Sequence, residues 1–314
     1  MLHTVWSQWE DLKVPSGFTR LSPSNCSLET DDLSEITFYV PTYAGHRPAL
    51  LHSLKMPHLQ ILQMLNAGYD DALEFVRPGM TLCNARGVHN PATAELALGL
   101  AIASRRGFVE TSAAQAAGEW QHHRYSTLSG CRAAIVGYGS IAHTLETYLD
   151  PLDVEVVSFS RSGKLGSLPV ADFDAHLPSF DVIFLLMPLN SESLHFFNTE
   201  RFSAMKDGAL LVNIARGAVV DTSALVEALA TGRIHAAIDV VDPEPLPAGH
   251  PLWKSPHLII TPHIGGQADL SESRGKEMVE NQLIRLSKDQ ALENVINLVT
   301  MSGQMWSNVQ TGKG

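Results

Sequence analysis

Three side chains far apart in the chain carry complementary chemistry. Arg216 stands in Asn213-Ile-Ala-Arg-Gly217, Glu244 in Asp239-Val-Val-Asp-Pro-Glu244-Pro-Leu-Pro247, and His263 in Thr261-Pro-His-Ile-Gly-Gly266. A guanidinium is a planar fork that orients a carboxylate and polarises a neighbouring carbonyl. An imidazole changes charge near neutral pH and is the side chain best suited to give up a proton there. A carboxylate hydrogen-bonded to that imidazole stabilises its charged form. Such a set predicts hydride transfer between a nicotinamide and the C2 carbon of a 2-keto or 2-hydroxy acid. Arg216 and His263 would act on the substrate, and Glu244 would hold His263.

A nicotinamide cofactor needs a phosphate cradle, and Gly137-Tyr138-Gly139-Ser140-Ile141-Ala142 has the form of one. It follows an apolar run that reads as a strand and opens a segment that reads as a helix, the context in which a glycine pattern carries weight. Gly137 permits the tight turn, and Gly139 lets backbone N–H groups approach a pyrophosphate. Ala142 is small enough for helix-on-strand packing, and the helix N-terminus presents its positive end to the phosphates. The next strand ends Ser158-Phe-Ser160-Arg161-Ser162, where a reader of the ribose 2′-hydroxyl would be Asp or Glu. Neither is present. Arg161 suits a 2′-phosphate instead, and Ser160, Ser162 and Lys164 add donors, so NADP is favoured and NAD is the second choice. Asp239 either bonds the nicotinamide carboxamide or caps a turn.

These residues need elements to position them. The runs Ile36–Val40, Leu59–Leu65 and Met80–Cys83 read as short strands between helical segments. The first thirty residues read as irregular and polar. Pro91 opens a helix over Ala92–Arg106, at the position where its missing N–H has no helical partner, and Asn90 before it reads as a helix cap. From Cys131 a second series begins, through Ala133–Val136, Val154–Phe159, Asp181–Leu186, Ala209–Asn213, Ile234–Asp239 and Leu258–Thr261. Near-continuous apolar runs of this kind belong to parallel strands covered on both faces. The three chemical patches then stand at strand carboxyl ends, where open parallel sheets bind ligands. A final helix is expected over about Leu270–Ser287.

The 314 residues are 45% hydrophobic, enough for roughly two domains. No apolar run reaches the ~18 residues of a membrane span, and no basic and apolar leader opens the chain, so a cytoplasmic protein is expected. The formal charge of −11 argues against nucleic acid or anionic membranes as partners. Cys26, Cys83 and Cys131 show neither metal spacing nor a disulfide frame, and no metal site is expected.

With these motifs in view, the chain resembles the D-2-hydroxyacid dehydrogenase family over about residues 60 to 300. The matches are Gly137–Ala142, Met187-Pro188-Leu-Asn190, Met205-Lys-Asp-Gly208, Val212–Gly217, Asp239-Val with Glu244–Pro247, and Thr261–Gly266. The resemblance implies an α/β molecule of two Rossmann-like parallel-sheet domains with a cleft between them. Its flavodoxin-like outer, substrate-binding domain is discontinuous, from residues 1–92 and 267–314, and residues 93–266 form the dinucleotide-binding domain. It makes Arg216 the substrate arginine, His263 the proton donor and Glu244 the histidine's partner. Tyr138, Ser140, Ile141, Pro188, Ala215 and Gly265 join the expected dinucleotide contacts. Leu65-Asn66-Ala67-Gly68-Tyr-Asp70 resembles the loop whose backbone amides hold the substrate carboxylate. It also implies a homodimer, with the helices after the first crossover at its interface; Trp120, His122, His123 and Arg124 lie just beyond them. The favoured activity is an NADP-linked reductase of small 2-keto acids of the glyoxylate or hydroxypyruvate type. The alternatives are an NAD-dependent phosphoglycerate-type dehydrogenase, for which no basic cluster is evident, and a dinucleotide-sensing, non-catalytic binding protein, against which the intact Arg216, Glu244 and His263 set argues.

Overall fold

The computed structural model describes residues 3–297; residues 298–314, the tail of the expected outer domain, lie outside the described residues. The chain divides into two compact units, one of Met1–Val88 with Glu272–Gly314 and one of His89–Ser271. Each contains, among the described residues, one all-parallel sheet. Among the described residues no helix is long and apolar enough to cross a membrane.

In the first unit the strands are β1 (Thr4–Trp6), β2 (Thr19–Leu21), β3 (Phe38–Tyr39), β4 (Ile61–Gln63) and β5 (Thr81–Cys83), in the order β2-β1-β3-β4-β5. Successive side chains go to opposite faces. Trp6, Tyr39 and Leu62 enter one core, while Val5, Phe38 and Ile61 enter another with Val279 and Leu283. β1 and β2 correct the expectation of an irregular start. Three-residue strands leave no alternation to read, and their polar neighbours are satisfied internally. Ser22 donates to Glu10 at 2.6 Å, and His3 Nδ1 lies 3.0 Å from Thr37 Oγ1. A short helix α1 (His46–Leu51) follows β3.

The second unit opens with α2 (Asn90–Arg105) and α3 (Phe108–Ala117), joined through Gly107 at φ +63°. Pro91 sits in the first turn of α2 as expected. Asn90 does not cap it: the helix has no side-chain cap, and Asn90 Oδ1 accepts a hydrogen bond from Ser140 Oγ at 3.1 Å. The strands are β6 (Arg132–Val136), β7 (Glu155–Ser160), β8 (Leu168–Pro169), β9 (Val182–Leu185), β10 (Leu210–Asn213), β11 (His235–Ile238) and β12 (Leu258–Ile260). Their order is β12-β11-β10-β9-β6-β7-β8, so the chain reverses its direction of travel between β6 and β9.

Ala133, Ile135, Val182, Phe184, Leu210 and Val212 face one side of this sheet. There α2 and α4 (Ser140–Leu149) cover them with Ala94, Ala97, Leu100, Ala142 and Leu145. Val136, Ile183, Leu185, Leu211 and Ile238 face the other side, against an aromatic cluster of Phe159, Phe173, Phe180, Phe197 and Phe202. Two-sided cover of this kind explains the unbroken apolar runs. The short α5 (Phe173–His176) and α6 (Thr199–Ala204), with α7 (Thr222–Ala230), complete that layer. The last helix, α8 (Asp269–Ser287), begins in this unit and continues into the first.

Candidate active site

The glycine loop leaves β6 at the point where the sheet order reverses, the position at which open α/β sheets bind ligands. Gly137 adopts φ +105°, and a Cβ there would stand 2.5 Å from the backbone of Leu186 and Met187. Both facts demand glycine. At Gly139 the reason differs. A Cβ would meet nothing within 4 Å, so the protein's own packing does not require a bare backbone there. Gly139 N-caps α4 without a side-chain cap, which leaves the first-turn amides of Ser140 and Ile141 without acceptors among the described residues. An anion seated over Gly139 is what those amides fit. Tyr138 turns its hydroxyl to Glu146; that bond, with burial, pushes the phenol up to about 12, and its ring packs 4.2 Å from His143.

β7 lies beside β6, so its end abuts the glycine loop: the Gly137 amide donates to Phe159 O at 2.9 Å. Arg161 and Ser162, just beyond, are exposed. Arg161 forms no ion pair with any described residue. Ser160 is engaged within its own loop, where the Gly163 amide donates to its Oγ at 3.1 Å. Pro188, past the end of β9, fixes a turn through its carbonyl, which accepts from Ser193 Oγ at 2.7 Å.

The three chemical patches follow β10, β11 and β12, adjacent strands with their carboxyl ends on one edge of the sheet. The pair expected between His263 and Glu244 is present: Nδ1 lies 2.6 Å from Oε1, and each side chain is 34% exposed. His263 adopts φ +53°, uncommon for a residue with a Cβ, and its amide donates to Asp239 O at 2.8 Å. Asp239, 2% exposed, braces the same loop. Its Oδ1 accepts from Thr261 Oγ1 at 2.5 Å and the Ile264 amide at 2.9 Å, and its Oδ2 accepts from the Gly265 amide at 2.8 Å. The capping reading of Asp239 thus describes the bonds seen. Thr93 Oγ1 secures the loop's far end by donating to Gly265 O at 3.0 Å.

Arg216 is presented by a turn that Asn213 holds from both sides. The Asn213 carboxamide accepts from the Ala215 amide at 3.1 Å and donates to the Arg216 carbonyl at 3.0 Å. The Arg216 guanidinium is half-buried and donates to Ala215 O at 2.8 Å. Gly217 allows the turn to press on the β11 loop, since a Cβ there would fall 1.9 Å from Val241 O. Asn213, Gly217, Thr261 and Thr93 were visible in the sequence, the first three inside recognisable motifs. Their supporting roles follow only from contacts across strands.

In the first unit, the Asn66–Gly68 loop follows β4. Its carbonyls are turned inward: Asn66 O accepts from the Ala85 amide at 2.9 Å and Ala67 O from Asn84 Nδ2 at 2.6 Å. The Ala67 and Gly68 amides bond to no described acceptor, which leaves two adjacent N–H donors for an anion.

Residues 98–265 match the model of the D-isomer specific 2-hydroxyacid dehydrogenase NAD-binding domain. The chain belongs to the D-isomer specific 2-hydroxyacid dehydrogenase family. A glyoxylate reductase of Thermococcus litoralis is 33% identical over 77% of this chain and 78% of its own length. A D-3-phosphoglycerate dehydrogenase of Archaeoglobus fulgidus is 28% identical over 77% of this chain, which spans only 48% of that protein. Among solved structures, a family member from Aeromonas salmonicida superposes with a TM-score of 0.80 at 28% identity, over 94% of this chain and 99% of that one. The protein is thus an NAD(P)-dependent dehydrogenase acting on a CH–OH group, and the glycine loop fits the nicotinamide dinucleotide that the family uses.

Proposed function

We propose that the protein is an NADPH-linked reductase of small 2-keto acids of the glyoxylate or hydroxypyruvate type. The observation that carries this reading is the 2.6 Å His263–Glu244 pair, beside the Arg216 turn on the edge of the sheet that bears the glycine loop. The dinucleotide supplies the hydride. Arg216 orients the keto acid and polarises its carbonyl. His263 gives a proton from Nε2 to the carbonyl oxygen, while Nδ1–H donates to Glu244, which steadies the imidazolium. Hydride on C2 and a proton on oxygen yield the 2-hydroxy acid. The Asn66–Gly68 loop, with its adjacent Ala67 and Gly68 amides, suits a carboxylate group.

Gly137, Gly139, Ser140 and Ile141 hold the pyrophosphate, with Tyr138, Pro188, Ala215, Asp239 and Gly265 lining the dinucleotide's course. Residues 93–266 form the dinucleotide domain, and residues 1–92 with 267–314 form the substrate domain. Exposed Arg161, with Ser162 and Lys164 beside it and no carboxylate in Ser158–Leu168, favours a 2′-phosphate and hence NADP. Phe108 and Val109 on α3, and Trp120 beyond it, are 51%, 52% and 98% exposed, which supports a homodimer formed through this segment. Three buried free cysteines suit a reducing cytoplasm.

The test is consumption of NADPH and of NADH across 2-keto acids of graded size and charge. Faster turnover with NADPH and with glyoxylate or hydroxypyruvate is expected. Failure with every keto acid despite bound NADPH would overturn the reading.

A further inference from the structure

The loop after β7 is organised from within by a buried serine. Ser167 is 6% exposed. Its Oγ lies 2.6 Å from the Lys164 carbonyl oxygen and 2.7 Å from Ser160 Oγ, and its amide donates to the same carbonyl at 3.2 Å. The Ser167 hydroxyl is the donor in both contacts, so its one proton is shared between the Lys164 carbonyl and Ser160 Oγ. Ser160 Oγ also accepts the Gly163 amide at 3.1 Å. Both serine hydroxyls are therefore engaged inside the loop, and the residues offered outward are Arg161, Ser162 and Lys164, all exposed.

A second observation shows how tightly this shape is imposed. Gly163, Leu165 and Gly166 all take left-handed backbone, at φ +64°, +59° and +85°. At Gly163 a Cβ would stand 2.9 Å from the Pro169 ring, so the loop packs closely on β8 there. Leu165 holds a conformation unfavourable for a residue with a Cβ while its side chain is 78% exposed, so its own packing does not explain it. Strained backbone persists where surrounding bonds over-determine it, and it concentrates at ligand clamps.

We propose that Ser167 is a positioning residue for cofactor selectivity, holding the 160–167 loop in the one shape that sets Arg161, Ser162 and Lys164 on a ribose 2′-phosphate. This rests on the NADP reading above. The loop's charge complements such a group: residues 158–168 include Arg161 and Lys164 and no acidic residue. With its hydroxyl engaged inside the loop, Ser167 acts by fixing the direction in which the cations point.

Binding of NADP+ and of NAD+, measured calorimetrically on the full-length protein, tests this with Ser167→Ala, Ser167→Thr and Arg161→Ala. Ser167→Ala is expected to weaken NADP+ binding roughly fivefold, the effect of one lost hydrogen bond, and NAD+ binding by less than about twofold. It should raise KM for NADPH rather than lower kcat, and Ser167→Thr should recover much of the loss by restoring the hydroxyl. Equal losses for both dinucleotides, or none for either, would overturn the proposal and leave Ser167 a structural residue. Arg161→Ala separates the two claims. If it leaves NADP+ affinity unchanged, the NADP reading itself fails. If it weakens NADP+ while Ser167→Ala does not, only the role of Ser167 fails.

Discussion

The two units use the same architecture, an all-parallel sheet with ligand-competent loops at the carboxyl ends of its strands, and arm it differently. In the second unit the loops after β10, β11 and β12 carry a guanidinium, a carboxylate and an imidazole, the first and last braced by the buried Asn213 and Asp239. In the first unit the loop after β4 carries backbone: two amides with their carbonyls turned inward. A group that must move a proton has to be a side chain with a suitable equilibrium, whereas a group that only holds a carboxylate can be an N–H. The difference also shows in strand length. β6 and β7 run five and six residues, while among the described residues no strand of the first unit exceeds three.

This contrast gives predictions that differ in kind between the units. The largest effect should follow His263→Ala in the second unit, which is expected to lower kcat by about 10²–10⁴, the usual cost of losing a general acid, in steady-state NADPH oxidation. Arg216→Gln removes the polarising donor and should lower kcat/KM by about 10²–10³. Arg216→Lys should recover only part, because an ammonium lacks the planar fork. In the first unit, Gly68→Pro deletes one of the two N–H groups proposed to hold the carboxylate. It should raise KM for the keto acid by about 10–100-fold, the worth of a hydrogen bond to a charged group, with kcat little changed.

Two smaller effects probe the framework of the second unit. Gly217→Ala forces a Cβ against Val241 O and should cost about 1–3 kcal/mol, read as a fall in Tm, with Arg216 displaced as well. Asp181 offers a pH test. Burial pushes its carboxyl up, but the Arg132 amide at 2.9 Å and the Lys206 ammonium at 2.5 Å outweigh burial and hold it below its ordinary value. A carboxyl depressed in the folded state stabilises above its unfolded pKa, and that contribution fades as pH falls through the folded value. Asp181→Asn should therefore narrow the difference in unfolding free energy between neutral and strongly acidic buffer, by no more than the ~1 kcal/mol of a partly exposed pair, read in denaturant melts at both pH values.

The second unit was largely legible in the sequence, and the reason is burial. β6, β9, β10 and β11 are covered on both faces, so their residues form apolar runs that end at the motif loops. Arg216, Glu244 and His263 could be assigned to strand ends on that basis, and the contact between the last two follows from the adjacency of β11 and β12. The first unit was less legible. β1 and β2 are too short to show alternation, and polar Ser22 and His3 beside them conceal their partners in Glu10 and Thr37. Local rules failed where a distant partner competed: Asn90 has the residue type of a helix cap, yet it accepts from Ser140, fifty positions on. The contact between Ser160 and Ser167 was equally hidden, because it depends on left-handed backbone between them that a residue such as Leu165 does not advertise.

One measurement tests the division of labour between the units most directly: single-turnover NADPH oxidation against keto acid concentration, with His263→Ala and Gly68→Pro run side by side. His263→Ala should drop the plateau by about 10²–10⁴ and leave the half-saturating concentration within about threefold of wild type. Gly68→Pro should move that concentration by about tenfold or more and leave the plateau near wild type. A Gly68→Pro plateau as low as that of His263→Ala, or a His263→Ala plateau at the wild-type level, would contradict the account.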